Sequence, residues 1–341
     1  MSTRDTARNH HTQAAMLAAT LSILIAAISA QGDVFSVDAA SPSWSDPADL
    51  LNPGPLPHVP AGYLGVVGRD LDALSQGMDI VTLNDIIYFS VDRSSIGMPG
   101  TAVYQQSTGS VIAQQASDIY VTVHTPPVNS YGHLSAPQGD NALIIDEAGN
   151  EPMTAGLGLL PDNRDNVDAY SMEEFDYYTR PGYTLPRDGK QDVSVFYSLD
   201  PVGGVGGADL WMSPKLDQIP SASLFMSSTT MGLAEGDDID ALALNAIPYI
   251  FGEPNPVNRA YYSLAPGSPS LAAWGASPAD VFYTEFDGTS ILAYSAASLG
   301  LLLGDNVDAL ETNALPEPVS LSLLAAGLAL YVPRRRRRIP R

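Results

Sequence analysis

The stretch LGLLLGDNVDALETN, Leu299–Asn313, decides the fold, because three earlier stretches repeat it. They are LGVVGRDLDALSQ at Leu64–Gln76, LGLLPDNRDNVDAYSM at Leu157–Met172 and MGLAEGDDIDALALN at Met231–Asn245. The shared order is Leu or Met, Gly, a short spacer, Asp or Asn, an aliphatic residue, Asp, Ala, and Leu or Tyr. Its anchoring aspartates are Asp72, Asp168, Asp240 and Asp308, which stand 96, 72 and 68 residues apart. Self-similarity at such intervals marks a fold built from stacked supersecondary units.

Three further elements recur between these anchors. One is IIYFSVDRSSIG (Ile86–Gly97), SVFYSLDPVGGVG (Ser194–Gly206) and RAYYSLAPGSPS (Arg259–Ser270). A second is ASDIYVTV (Ala116–Val123), GADLWMSP (Gly207–Pro214) and PADVFYTE (Pro278–Glu285). A third, less sharp, is NALIIDEAGN (Asn141–Asn150), SASLFMSSTTMGL (Ser221–Leu233) and ILAYSAASLGL (Ile291–Leu301). Each is short, rich in β-branched and aromatic residues, and bounded by Gly, Pro, Asp or Asn, as strands are. The 29 Gly and 27 Pro supply frequent turns.

The expected fold is therefore all-β: internally repeated, short antiparallel strands in a propeller-like arrangement, with a β-sandwich or barrel as the alternative. Three units span residues 63–156, 157–230 and 231–298, and a closing element spans 299–313. The extra terminal copy can close a ring with a strand from the other end. Residues 31–62 read as a Pro-rich linker, so the β-repeat domain is expected over 63–313.

Composition narrows the function. The chain carries a net charge of −22, and between its two ends eight Lys and Arg face thirty-seven Asp and Glu. Such a surface repels nucleic-acid phosphates and anionic lipid. With no cysteine, disulfides, thiolate chemistry and Cys-ligated metals are excluded. A content of 45% hydrophobic residues sets the chain apart from disordered acidic tails.

Both ends carry address labels. Arg4 and Arg8 precede the apolar Ala14–Ile28, and Ser29 and Ala30 offer small residues for cleavage, so residues 1–30 read as a secretory signal peptide. At the other end, Pro316, Glu317 and Pro318 precede the uncharged run 319–332, which is followed by Arg334, Arg335, Arg336, Arg337 and Arg338. A helix of that length spans roughly 21 Å at about 1.5 Å per residue, and its one-sided positive block belongs on the cytoplasmic side of a bilayer. This order resembles the bacterial PEP-CTERM sorting signal, over residues 314–341 only. The resemblance implies processing by an exosortase-type transpeptidase after export, transient inner-membrane anchoring through the C-terminal helix, and delivery to the cell surface or extracellular matrix. It implies nothing about the activity of the repeats.

The repeated aspartates are the candidate site residues. Asp72, Asp168, Asp240 and Asp308 sit in the anchoring element. Asp237, Asp238 and Asp305 neighbour it, and Asp118, Asp209 and Asp280 recur in the ASDIYVTV-type element of each unit. Closely spaced Asp and Asn on turns can supply the oxygen ligands of calcium, although the EF-hand spacing is absent. The competing reading is that each aspartate caps a turn by accepting from backbone N–H groups. No nucleophile elbow, zincin motif or P-loop is present. Outside the signal peptide, His58, His124 and His133 remain, and they read as loop residues rather than a catalytic set. The expected protein is thus a non-catalytic structural, adhesive or matrix-binding component, with extracellular polysaccharide or matrix as partner. A surface-displayed carbohydrate-active or other hydrolase is the alternative, since a glycosidase needs only two carboxylates.

Overall fold

Four sheets of short strands follow one another along the chain in a computed structural model. It describes residues 34–312 apart from 43–45, 54–55, 67–69, 76–85, 109–114, 124–140, 147–154, 158, 160–165, 173–194, 202–205, 214–221 and 247–256. The first blade is made of β1 (Val34–Val37), β2 (Leu50–Asn52) and β3 (Leu56–Val59). The second holds β4 (Ala73–Ser75), β5 (Ile86–Ser90), β6 (Ile119–Val123), β7 (Ala142–Asp146) and the short β8 (Ala155–Gly156), which pairs parallel to β7. The third comprises β9 (Val167–Met172), β10 (Val195–Leu199), β11 (Leu210–Ser213) and β12 (Ser223–Met226). The fourth comprises β13 (Ile239–Ala246), β14 (Val257–Leu264), β15 (Val281–Thr284) and β16 (Ile291–Tyr294). The last strand, β17 (Val307–Glu311), joins the first blade, pairing antiparallel with β1 from Val34↔Glu311 to Val37↔Val307.

The arrangement is a four-bladed β-propeller. The innermost strands β17, β4, β9 and β13 pack against one another around a common centre. Three apolar clusters fill the spaces between successive blades, for example Leu50, Leu64, Phe89 and Tyr120 between the first and second. Tyr197 and Tyr170 pack with Tyr88 and Val121 between the second and third, and Phe196, Leu242 and Tyr262 pack between the third and fourth. The inner and second strands are covered on both faces, so every residue of β17 and of β10 is buried and neither alternates in burial. Each fully buried large side chain contributes roughly 1.5–3 kcal/mol through apolar burial.

The repeated Leu/Met-Gly pair has a definite structural job. Leu64, Met231 and Leu299 end one-turn helices at Ala61–Leu64, Ser228–Met231 and Ala296–Leu299, and each is buried. The next residue, Gly65, Gly232 or Gly300, is left-handed with φ of 75°, 82° and 82°, where a Cβ would be strained. These helices return the chain from an outer strand to the next inner one.

A second repeated device locks the blades together. The hydroxyl of Ser90 donates to the Val167 carbonyl at 3.0 Å, that of Ser198 to Ile239 at 3.1 Å, and that of Ser263 to Val307 at 2.6 Å. Each donor lies on a second strand and each acceptor begins the next blade's inner strand. Ser36 holds the equivalent place in the first blade and is buried, but its hydroxyl has no partner.

Residues 31–62, expected to form a Pro-rich linker, instead hold β1, β2 and β3. With the closing element they build a whole blade, so the repeat count is four. Residues Gln31–Thr312 form one compact unit. The expected signal peptide and the sorting tail, from Pro316 to Arg338, lie outside the described residues. Among the described residues no helix is long and apolar enough to cross a membrane.

Candidate functional site: an acidic funnel on the axis

Each blade brings two strand ends to the same mouth of the ring. The inner strand arrives with Asp or Asn, one residue, then Asp: Asn306 and Asp308, Asp70 and Asp72, Asn166 and Asp168, Asp238 and Asp240. The second strand leaves past its buried serine to Asp38, Asp92 or Asp200. In the fourth blade Ala265 and Pro266 break the pattern. A backbone bond ties each pair of ends: Asp38 N–H to Asn306, Asp92 to Asp70, Asp200 to Asn166, and Ala265 to Asp238. The result is a recess of about 380 Å³ lined by nine aspartates, two asparagines and Pro266.

Few cations balance these charges. Arg93 bonds Asp200 at 3.0 Å, joining the second and third blades, and it makes the one ion pair among the described residues. Asn166 donates to Asp168 at 2.7 Å, and Asn306 donates to Asp240. Asp70 accepts the Ala39 N–H at 3.2 Å. Six buried oxygens of residues that line the recess have no hydrogen-bond partner: Asp70 Oδ1, Asp72 Oδ2, Asn166 Oδ1, Asp238 Oδ1, Asn306 Oδ1 and Asp308 Oδ2. All are acceptors. Buried polar groups are ordinarily satisfied, so a concentration of orphan acceptors around one recess calls for an explanation.

The electrostatics follow from this crowding. Burial pushes Asp70 and Asp238 up to about 7 and Asp240 up to about 8. The charge of Asp38 adds to the first, those of Asp200 and Asp237 to the second, and that of Asp238 to the third. The Asn306 amide pulls Asp240 the other way. Asp72, Asp168 and Asp308 are raised by burial and then by the charges of Asp92, Asp72 and Asp240 respectively. One oxygen each from Asp168, Asp200 and Asp238 lie within 4.8 Å of one another, a span that a single ion can bridge.

The ten aspartates expected at the site divide evenly. Asp72, Asp168, Asp238, Asp240 and Asp308 line the recess. The other five are acceptors within the blades. Asp209 takes the N–H of Ser228 at 2.8 Å, and Asp280 takes those of Ala296 at 2.7 Å and Ser277 at 2.9 Å. Both thereby cap the first N–H of a one-turn helix from a neighbouring strand. Asp237 accepts from Ala234 and Ser270, Asp305 from Leu302, and Asp118 from the Tyr120 hydroxyl. Asp38, Asp70, Asp92, Asp200, Asn166 and Asn306 belong to the site beyond that expectation. The signal for the second-strand members was the Asp that ends SVD at 36–38 and 90–92 and SLD at 198–200. Asp49 is a fourth corner aspartate, accepting the Ala61 N–H at 2.8 Å. His124 and His133 lie outside the described residues. No protein-family profile matches the chain, and no curated protein matches it.

Proposed function

We propose that the chain is an exported, surface-sorted propeller that binds its partner without transforming it, a structural, adhesive or extracellular-matrix component. One observation carries the reading: the acidic recess sits where the four inner strands meet and draws on the same inner-strand positions of every blade. A catalytic centre needs groups in unlike roles, an acid and a base or a nucleophile and its activator, and so breaks the repeat. Here the repeat is kept in all four inner-strand pairs. The signal-like and PEP-CTERM-like ends supply the route to the surface.

The second reading, a surface hydrolase, rests on Asp238 and Asp240. With values near 7 and 8 they keep part of their protons at neutral pH, as a general acid must. Incubation of the purified protein with a panel of acidic and neutral polysaccharides separates the two. Retention on a polysaccharide with no new reducing ends supports binding. Release of reducing ends that Asp240→Asn abolishes overturns it. Mass spectrometry of the native surface protein tests the route, and an intact Arg334–Arg338 block at the surface would refute it.

A further inference from the structure

We propose that the axial funnel is a calcium site, in which the ion is gripped between the third and fourth blades by Asp168, Asp200 and Asp238 and drawn inward by the orphan oxygens of Asp72 and Asp308. The proposal is independent of whether the propeller binds or transforms its partner.

Two separate observations support it. The first is the placement of three carboxylates from strand ends of adjacent blades with oxygens mutually within 4.8 Å. The second is that Asp72 and Asp308 line the recess while only 7% and 8% exposed, and each has a buried oxygen without a hydrogen-bond partner. An ionised carboxylate oxygen accepts and never donates, and none of the residues lining the recess is cationic. What the recess lacks is positive charge.

The donor chemistry selects the class of ion. Every lining polar side chain offers oxygen and none offers imidazole or sulfur, which favours a hard cation over zinc or copper. Calcium takes six to eight oxygens in loose geometry, whereas magnesium requires a small, near-ideal octahedron and keeps much of its water. Here the donors stand on strand ends of four separate blades, more numerous than an octahedron uses and fixed by the ring. Asp200 is shared with Arg93, which leaves the third-blade edge of the funnel partly compensated and the axis uncompensated.

The test uses the purified full chain, stripped with chelator and desalted. Its melting temperature is measured in millimolar calcium chloride, in magnesium chloride, and in sodium chloride of equal ionic strength, which separates binding from screening. At a hundredfold excess over Kd, an ion that binds only the folded state shifts the folding equilibrium about a hundredfold. The expected result is a rise with calcium that exceeds both other salts and disappears with chelator. Asp308→Asn and Asp168→Asn should each weaken calcium affinity at least tenfold by titration calorimetry. Asp287→Asn, the same change at a fully exposed turn, should leave it unaltered. If either funnel variant fails to fold, Asp72→Asn takes its place. Equal shifts in calcium and sodium, an equal or larger shift in magnesium, or unchanged calcium affinity in the funnel variants would each overturn the proposal.

Discussion

The corners of the blades and the centre of the ring use the same residue with the same regularity and to opposite ends. At a corner, Asp280 is buried and receives two backbone N–H groups, and Asp49 and Asp209 receive one each. Their negative charge is met by donors that would otherwise be orphaned at a helix start. At the centre, Asp72 and Asp308 are equally buried and meet further carboxylates. Burial is thus no guide to the role of a repeated aspartate; what decides it is whether the surrounding backbone turns N–H groups or other carboxylates toward it.

The largest expected effect that could break this contrast is the pH dependence of the metal-free protein. The folded-state values of Asp70, Asp238 and Asp240 lie near 7, 7 and 8, against an ordinary value of 3.8. Each therefore binds its proton more tightly folded than unfolded. The charges of Asp38, Asp92, Asp200 and Asp237 push the same way, opposed by the Ala39 N–H and a side-chain hydrogen bond from Asp308 at Asp70 and by the Asn306 amide at Asp240. In that window the unfolded state holds fewer protons, so stability falls as pH rises from about 4 to about 8. Urea denaturation in chelator across that range should show the fall, and calcium should flatten it. A metal-free chain that gains stability over the same interval would place the central aspartates with the corner ones.

Next in size is the loss of a corner. Asp280→Ala leaves two buried N–H groups without an acceptor and should cost about 2–4 kcal/mol, read as a lower urea midpoint. The corresponding change at the centre should go the other way. In chelator at pH 8, Asp238→Asn removes one half-buried charge crowded by Asp200 and Asp237 and should stabilise by about 1 kcal/mol. Destabilisation of the metal-free form by that substitution would mean that the central charge is matched after all.

The smallest effect compares serines around the ring. Ser263→Ala removes a buried hydrogen bond to the Val307 carbonyl and should cost about 1 kcal/mol. Ser36→Ala removes a buried hydroxyl that has no partner and should be neutral or slightly stabilising. Equal costs at the two positions would show that all four blade seams are alike.

Much of this was legible in the sequence where the repeat is written in apolar and acidic residues together. The Asp-Ala-Leu copies and the VFYSL-type strands announce β-structure and mark the inner and second strands of three blades. The first blade was half hidden: the closing copy was expected to meet a strand from the other end, but the residues that supply it were read as a linker. VFSV at 34–37 and ADLLN at 48–52 lie among prolines, and without their partner β17 they carry no sign of pairing. The funnel was half legible. Asp72, Asp168, Asp240 and Asp308 stand out as repeats, but their meeting with Asp38, Asp92 and Asp200 depends on hairpin register, which places residues 92 and 70, or 200 and 166, side by side. The helix-capping role of Asp209 and Asp280 was foreseen only in general terms. Their acceptor duty crosses from a strand to a helix start 19 and 16 residues away, farther than any local turn pattern reaches.

The seam between β1 and β17 also sets an order of events in time. The second, third and fourth blades can each assemble from neighbouring hairpins as they are made. The first cannot, because its inner strand is the last of the 17. Until Val307–Glu311 arrives, β1 has an open edge toward the axis, and the ring remains an arc. Joining segments that far apart carries the largest loop-closure entropy in the molecule, and contacts of long sequence separation form slowly. Closure is therefore the final folding step. Were the chain exported N-terminus first, as proposed, the ring and its acidic funnel would close only after Val307–Glu311 had crossed.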